Sequence, residues 1–438
     1  MERLFICIFI ILCFISASIG RTGFGPGEQE WGYVQVRPHA NMFWWLYYTT
    51  ANVKSYYDKP LIIWLQGGPG ASSTAYGNFV ELGPLDMELK PRNYTWIINY
   101  CVKNYNVLFI DNPVGTGFSN VEDESAFATT NGQIAIDLFE CIRGFYTQLP
   151  QFKPVPTYIA TESYGGKMGA EFALVWDRAQ KAGNIESNLK GIALGDAWIS
   201  PVDSVMAWAP YLLNMGMIDT RDFYEIDAAA NYTRYKIETR QWQEAFVDYS
   251  YTQSIISEKT CNIDFYNILT KWKCDHLLPQ ELLFFNEESL YRNFFKEIQP
   301  LETLMNGPVK KALGLNVTHG SQAITVRSRL INDIMRSVTN ILELLLNETD
   351  LKVFVYNGQL DLIVSTPGTL NWVENLDWTQ QWKWLSREPL LSEEGFLEGF
   401  SKTSDKFCMY WVNRAGHMVP RDNPTAMEII LKNLTSNA

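Results

Sequence analysis

A series of short, unbroken apolar runs, each ending in glycine or polar residues, is the strongest constraint on how this chain folds. They lie at 61–65 (LIIWL), 106–110 (NVLFI), 157–160 (TYIA), 190–194 (KGIAL), 352–356 (KVFVY) and 407–411 (FCMYW). A strand that is apolar at every position has both faces buried, and that is the habit of parallel sheets covered by helices. Helical patterns separate the runs, at 130–148 and 166–179. Two further segments, 32–37 (GYVQVR) and 42–48 (MFWWLYY), predict an opening hairpin. The alternation gives an α/β fold with a central, mostly parallel sheet.

The rhythm breaks after Leu194. Residues 196–300 carry helical, aromatic and charged stretches with few buried-strand signals. They read as a largely helical lid inserted between two parts of one core, 21–195 and 301–438. Within the second part, 323–346 reads as one further helix near the core. Insertions into such folds sit at strand ends, where binding sites also form, so this one is expected to roof the site.

The first twenty residues, MERLFICIFIILCFISASIG, place one basic residue ahead of an apolar run and small residues after it. That is the layout of a cleaved signal peptide, residues 1–20. No later segment is apolar for long enough to span a bilayer, so the mature chain is expected to be soluble in a lumen or outside the cell. Cys7 and Cys13 leave with the signal. Of Cys101, Cys141, Cys261, Cys274 and Cys408, four can form two disulfides and one stays a thiol, with Cys261 and Cys274 a plausible local pair. No cysteine spacing resembles a zinc site. Acceptor sequons at Asn93, Asn231, Asn316, Asn347 and Asn433 predict N-linked glycans. A net charge of −12 and a pI near 5.0 disfavour nucleic-acid binding and suit an acidic compartment.

Four segments at strand ends carry chemistry. Thr161-Glu-Ser-Tyr-Gly165 approximates the strand–serine–helix turn of a nucleophile elbow, with Thr161 at the usual first glycine. The glycine-rich 65–73 (LQGGPGASS) can aim backbone amides at a developing oxyanion. Asp361 follows the run at 352–356. His417, in a glycine-flanked loop, follows the run at 407–411. Of His39, His276, His319 and His417, only the last has such a setting. The order Ser163, Asp361, His417 is that of α/β-hydrolases. In that chemistry His417 is the base for Ser163, Asp361 orients and stabilises the imidazole, and the amides of Gly68 and Tyr164 hold the oxyanion. The mechanism needs no cofactor and no metal.

The segments WLQGGPGASS (64–73), ELGPLD (81–86), DNPVGTGFS (111–119), ESYGGKM (162–168), GDAWISP (195–201), NGQLDLIV (357–364) and GHMVP (416–420) resemble the serine carboxypeptidase family of α/β-hydrolases. The resemblance spans nearly the whole mature chain. It implies an α/β-hydrolase core with an inserted helical lid, and removal of C-terminal residues from peptides that have a free C-terminus. It further implies that Trp64, Gln66, Gly67, Glu81 and Glu162 hold the substrate's terminal carboxylate. Gln66 stands where the family usually has Asn, and Ala71 where many relatives have a disulfide cysteine. Crowded carboxyls facing a third carboxylate must share protons, so an acidic pH optimum is expected. Secreted and lysosomal settings both fit, and the oligomeric state stays open, a homodimer included. An esterase or acyltransferase using the same triad, or a weakly active or non-enzymatic stabilising protein, would keep the fold with a different use.

Overall fold

A computed structural model of the protein describes residues 20–96, 104–271, 274 and 298–436. The signal-peptide segment, Cys101 and His276 lie outside the described residues. The strands are β1 (Arg21–Thr22), β2 (Glu28–Arg37), β3 (Ala40–Tyr47), β4 (Leu61–Leu65), β5 (Asn106–Ile110) and β6 (Asn120–Val121). They continue with β7 (Thr157–Glu162), β8 (Leu189–Gly195), β9 (Lys352–Gly358), β10 (Glu388–Leu391), β11 (Leu397–Ser404) and β12 (Phe407–Val412). They form one twelve-stranded sheet in the order β1-β2-β3-β5-β4-β7-β8-β9-β12-β11-β10, with β6 beside β3.

The centre, β5-β4-β7-β8-β9-β12, is parallel throughout. These are the six apolar runs of the sequence. Antiparallel strands flank both sides, so the whole sheet is mixed. The predicted hairpin is β2–β3. β10 and β11 have no counterpart among the strands expected from sequence, because Glu388–Leu391 is mostly exposed and Leu397–Ser404 ends in the polar run Ser-Lys-Thr-Ser.

Alternation along each central strand explains the unbroken runs. Leu61, Ile63 and Leu65 point into one core with Ile159, Ile192, Leu194, Val353 and Val355. Ile62 and Trp64 point into the other, with Tyr158, Ala160, Ala193, Phe354 and Tyr356. The first core is closed by α1 (Asn131–Gln148) and α2 (Tyr164–Lys181), and the second by a C-terminal helix at Pro424–Thr435.

Between β8 and β9 lie α3 (Pro201–Asn214), α4 (Thr220–Glu238) and α5 (Trp242–Thr260), and no strand occurs among the described residues of this stretch. α3 is anchored to the β9 side, where the Trp208 indole donates to Ile363 O and the Tyr211 hydroxyl to Gln359 O. Cys261 is joined to Cys274, as the spacing suggested. The second bridge is not found among the described residues. Cys141 and Cys408 are free, buried and in opposite cores.

The expected single helix over 323–346 is three, at Ala323–Arg329, Ile331–Ile334 and Thr339–Glu348. The break between the second and third of these lies at Lys167, fully buried on α2. Its ammonium takes Asp333 O at 2.5 Å and Arg336 O at 2.9 Å. A continuous helix would need those carbonyls for the amides four residues on. Val338 N is instead bound to Ile199 O. No helix among the described residues is long and apolar enough to cross a membrane.

The Lys167 ammonium also pairs with Asp333 Oδ1 at 2.8 Å. Removing one partner of a buried pair leaves the other uncompensated. Lys167→Ala is therefore expected to cost about 3–5 kcal/mol in urea unfolding. A loss under about 1 kcal/mol would show that the broken helix does not depend on it.

Candidate active site

The parallel strands all end at one edge, and every candidate side chain lies just past a strand end. β7, β8 and β9 are in register there, with Glu162 opposite Gly195 and Gly195 opposite Tyr356. The next residue along β7 is Ser163. Its φ of 60° and ψ of −130° are strained for a residue with a side chain, a state costing about 1–3 kcal/mol that its surroundings must enforce. Ser163 N donates to Gly195 O at 2.9 Å, and Ser163 O accepts from Gly166 N and Trp198 N. Ser163 is the N-cap residue of α2 by position, yet its hydroxyl makes no capping bond. It is half-buried. Thr161 fits because Gly169 leaves room: a Cβ there would lie 2.6 Å from the Thr161 methyl.

Asp361 and His417 come together through their loops. Gln359 N bonds Val412 O, and Leu360 N bonds Ala415 O. His417 Nδ1 then lies 2.7 Å from Asp361 Oδ2, with both side chains buried. His417 Nε2 is buried without a hydrogen-bond partner. The serine–imidazole bond is therefore open in this conformation, and such bonds commonly tighten only with substrate.

Two features here escaped the sequence reading. His417 N donates to Tyr266 O at 2.7 Å, and the Tyr266 ring meets the imidazole edge-on at 5.1 Å. Tyr266 belongs to an irregular stretch with no motif to signal it. Asp196 follows β8 as Ser163 follows β7, and its carboxyl reaches the same place. The ligand atoms of Asp196, Asp361 and His417 all lie within 4.8 Å of one another. The strand-end position was the available signal.

The backbone of the glycine-rich loop crosses directly over the serine turn. A Cβ on Gly67 would meet Ser163 Cβ at 2.6 Å and Tyr164 N at 2.9 Å, so only glycine allows this approach. Gly68 follows, its carbonyl 3.4 Å from Arg327 Nη1. Beside it, Gln66 joins three other buried side chains. Trp64 Nε1 donates to Gln66 Oε1 at 2.7 Å, and Gln66 Nε2 donates to Glu81 Oε1 at 2.9 Å and Glu162 Oε1 at 2.7 Å. The methylene that distinguishes Gln66 from asparagine leaves its amide fully engaged. Burial first, then the neighbouring Glu81, holds the Glu162 carboxyl well above the ordinary range. Burial raises Glu81 as well, opposed by its bonds to Glu162 and Gln66. The pair therefore retains a proton where an exposed glutamate would have lost it.

The other histidines lie elsewhere. His39 is exposed beside Glu122. His319 Nε2 lies 3.1 Å from Ser72 Oγ, which donates to Asp111 Oδ1 at 2.7 Å. Here the acid binds the serine rather than the imidazole, and burial pulls the His319 pKa down to about 3. That arrangement is a buried structural knot. Of the sequons, Asn93, Asn316, Asn347 and Asn433 are exposed, while Asn231 is half-buried on α4 with its amide bound to Asp227.

Residues 21–437 match the family described as serine carboxypeptidase. The chain is 42% identical over 410 residues to retinoid-inducible serine carboxypeptidase of Rattus norvegicus, covering 90% of this chain and 89% of the relative. It is 35% identical to serine carboxypeptidase-like 51 of Arabidopsis thaliana, covering 95% of each. Among solved structures it is similar to Kex1(delta)p, a prohormone-processing carboxypeptidase from Saccharomyces cerevisiae, with a TM-score of 0.78 over 93% of this chain and 91% of that one. At 22% identity that likeness is one of fold, an α/β-hydrolase core.

The raised carboxyls make stability depend on pH. Glu162 binds its proton more tightly folded than unfolded, so the folded state holds more protons above the ordinary carboxyl range. Stability then falls as pH rises, until the raised pKa is passed, by up to about 1.4 kcal/mol per pH unit per group. The urea midpoint is expected to be lower at about pH 8 than at about pH 5, with a smaller difference in Glu162→Gln. An undiminished difference in that variant would show that Glu162 does not hold the proton.

Proposed function

Because this chain belongs to the serine carboxypeptidase family, we propose that it removes C-terminal residues from peptides through an acyl-enzyme on Ser163, with His417 and Asp361 completing the triad. The observation that carries the assignment is the 2.7 Å Asp361–His417 bond, formed at the sheet edge where the Ser163 turn ends. His417 Nε2 takes the Ser163 Oγ proton as Oγ attacks the scissile carbonyl. Asp361 accepts from Nδ1–H and stabilises the imidazolium. Amides at Gly68 and Tyr164 bind the oxyanion, each contributing about 3 kcal/mol to the chemical step. The imidazolium protonates the departing amine, and water then repeats the sequence to release the acid.

The exopeptidase character rests on Trp64, Gln66, Gly67, Glu81 and Glu162. A protonated Glu162, held in place by the Gln66 amide, can donate to a terminal carboxylate, which an ionised glutamate pair would repel. Glu162 is protonated at low pH and loses its proton as pH rises through its raised pKa, so substrate binding weakens in that direction. An acidic optimum follows, bounded below by the need for a neutral His417. The chain from 196 to 300 serves as lid, the expected signal peptide and sequons give a glycosylated secreted or lysosomal protein, and no cofactor takes part.

A fluorophosphonate is expected to label Ser163, and Ser163→Ala to abolish labelling. Peptides should release one C-terminal amino acid, and C-terminally amidated peptides none. The ratio kcat/KM should fall from about pH 5 to about pH 8, chiefly through KM. Cleavage of amidated peptides, or a steady rise in kcat/KM from about pH 4 to about pH 8, would refute the carboxylate-binding assignment.

A further inference from the structure

We propose that Asp196 is a positioning residue of the triad: it carries a proton, donates it to Asp361, and thereby fixes the carboxylate that faces His417. The inference rests on the assignment of Ser163, Asp361 and His417 above.

Asp196 directly follows Gly195, whose carbonyl holds the Ser163 amide. Its backbone is strained, with φ at 41°, and is pinned from the β9 side. Asp196 N donates to Tyr356 O at 2.8 Å, and Asp196 Oδ1 accepts from Gly358 N at 2.8 Å. These contacts turn the side chain inward, where Oδ2 is buried with no donor supplied to it. Asp361 uses Oδ2 for His417 Nδ1 and receives Val364 N at 3.3 Å on Oδ1. Both carboxyls have zero exposure. Serving Gly358 N requires only one acceptor oxygen, which an amide would also provide. The second oxygen of Asp196 matters only if it bears hydrogen.

The surrounding charges favour that state. Asp196 is faced by Asp361 beyond β9, Glu162 at the end of β7, Asp422 beyond the His417 loop, the Tyr356 hydroxyl of β9, and the imidazole itself. Two adjacent buried carboxyls do not both ionise. Burial, then Asp361 beside it, holds the Asp196 acid well above the ordinary range. The Oδ2–H then donates to the Asp361 carboxylate. No covalent bond changes, and the pair keeps a single negative charge for the imidazolium. Asp196 is protonated at low pH and ionises as pH rises through its raised pKa. Two carboxylates then repel each other behind His417, and the imidazole loses its orientation. This loss falls on kcat, whereas loss of the Glu162 proton falls on KM.

The test compares Asp196→Asn and Asp196→Ala with the wild-type enzyme, by kcat and KM against pH and by the downfield proton resonance of the His417 Nδ1–H. Asn is a permanent neutral donor. Its kcat should stay within about threefold of wild type at acidic pH and lose the alkaline fall, while the resonance persists to high pH. Ala supplies no donor, and its kcat should drop about tenfold at every pH with KM little changed. An Asn variant whose alkaline fall in kcat and whose resonance match wild type would overturn the inference alone. Failure of wild type to react with a fluorophosphonate would overturn it together with the triad. Should the variants not fold, titration of wild type decides: the resonance should shift or vanish at alkaline pH in a step separate from the imidazole's own, and its absence refutes the role.

Discussion

A short set of hydrogen bonds across the end of the sheet carries the rest of the site. Ser163 N binds Gly195 O, Asp196 N binds Tyr356 O, and Gly358 N binds Asp196 Oδ1. Each bond ties one strand end to the next, so β7, β8 and β9 stop together. Ser163 and Asp196 both hold positive φ, and neither conformation is favourable by itself. They persist because the backbone on either side is already committed to parallel pairing. Ser163, Asp196 and the Asp361 loop are thus set by strand register, before side-chain packing contributes.

The opposite side of the site is held by chain from between β8 and β9. Leu362 N and Ile363 N bind Phe265 O, Ile268 N binds Leu360 O, and Tyr266 O receives His417 N. One short segment therefore grips the Asp361 loop and His417 together. The enclosure also sets the electrostatics. Glu81, Glu162, Asp196 and Asp361 are all buried around one imidazole, and low exposure makes shared protons the cheapest way to keep them there.

Much of this was legible in the sequence, for a physical reason. Strands buried on both faces leave unbroken apolar runs, and in a parallel sheet the residues after them converge. Ser163, Asp361 and His417 could be picked from that pattern and their order. Asp196 obeys the same rule, yet no motif singles out an aspartate that lies beside another. The break before Thr339 was hidden because Lys167, far away in sequence, takes carbonyls that would have continued the helix. β10 was hidden because an edge strand keeps most of its residues exposed, and β11 beside it because it ends in a polar run. Tyr266 acts through its carbonyl, and a backbone group leaves no mark on residue type.

The Cys261–Cys274 bridge gains meaning from what it encloses. Phe265, Tyr266 and Ile268 lie inside the loop it closes, so the grip on Asp361 and His417 sits within a covalent ring. Closing a loop of this size disfavours the unfolded chain by about 3 kcal/mol. In the reduced chain that gain is absent, and the segment keeps its hydrogen bonds and packing against the two loops. The bridge thus narrows the ways in which the unfolded chain can stray from the fold at a segment that touches both loops.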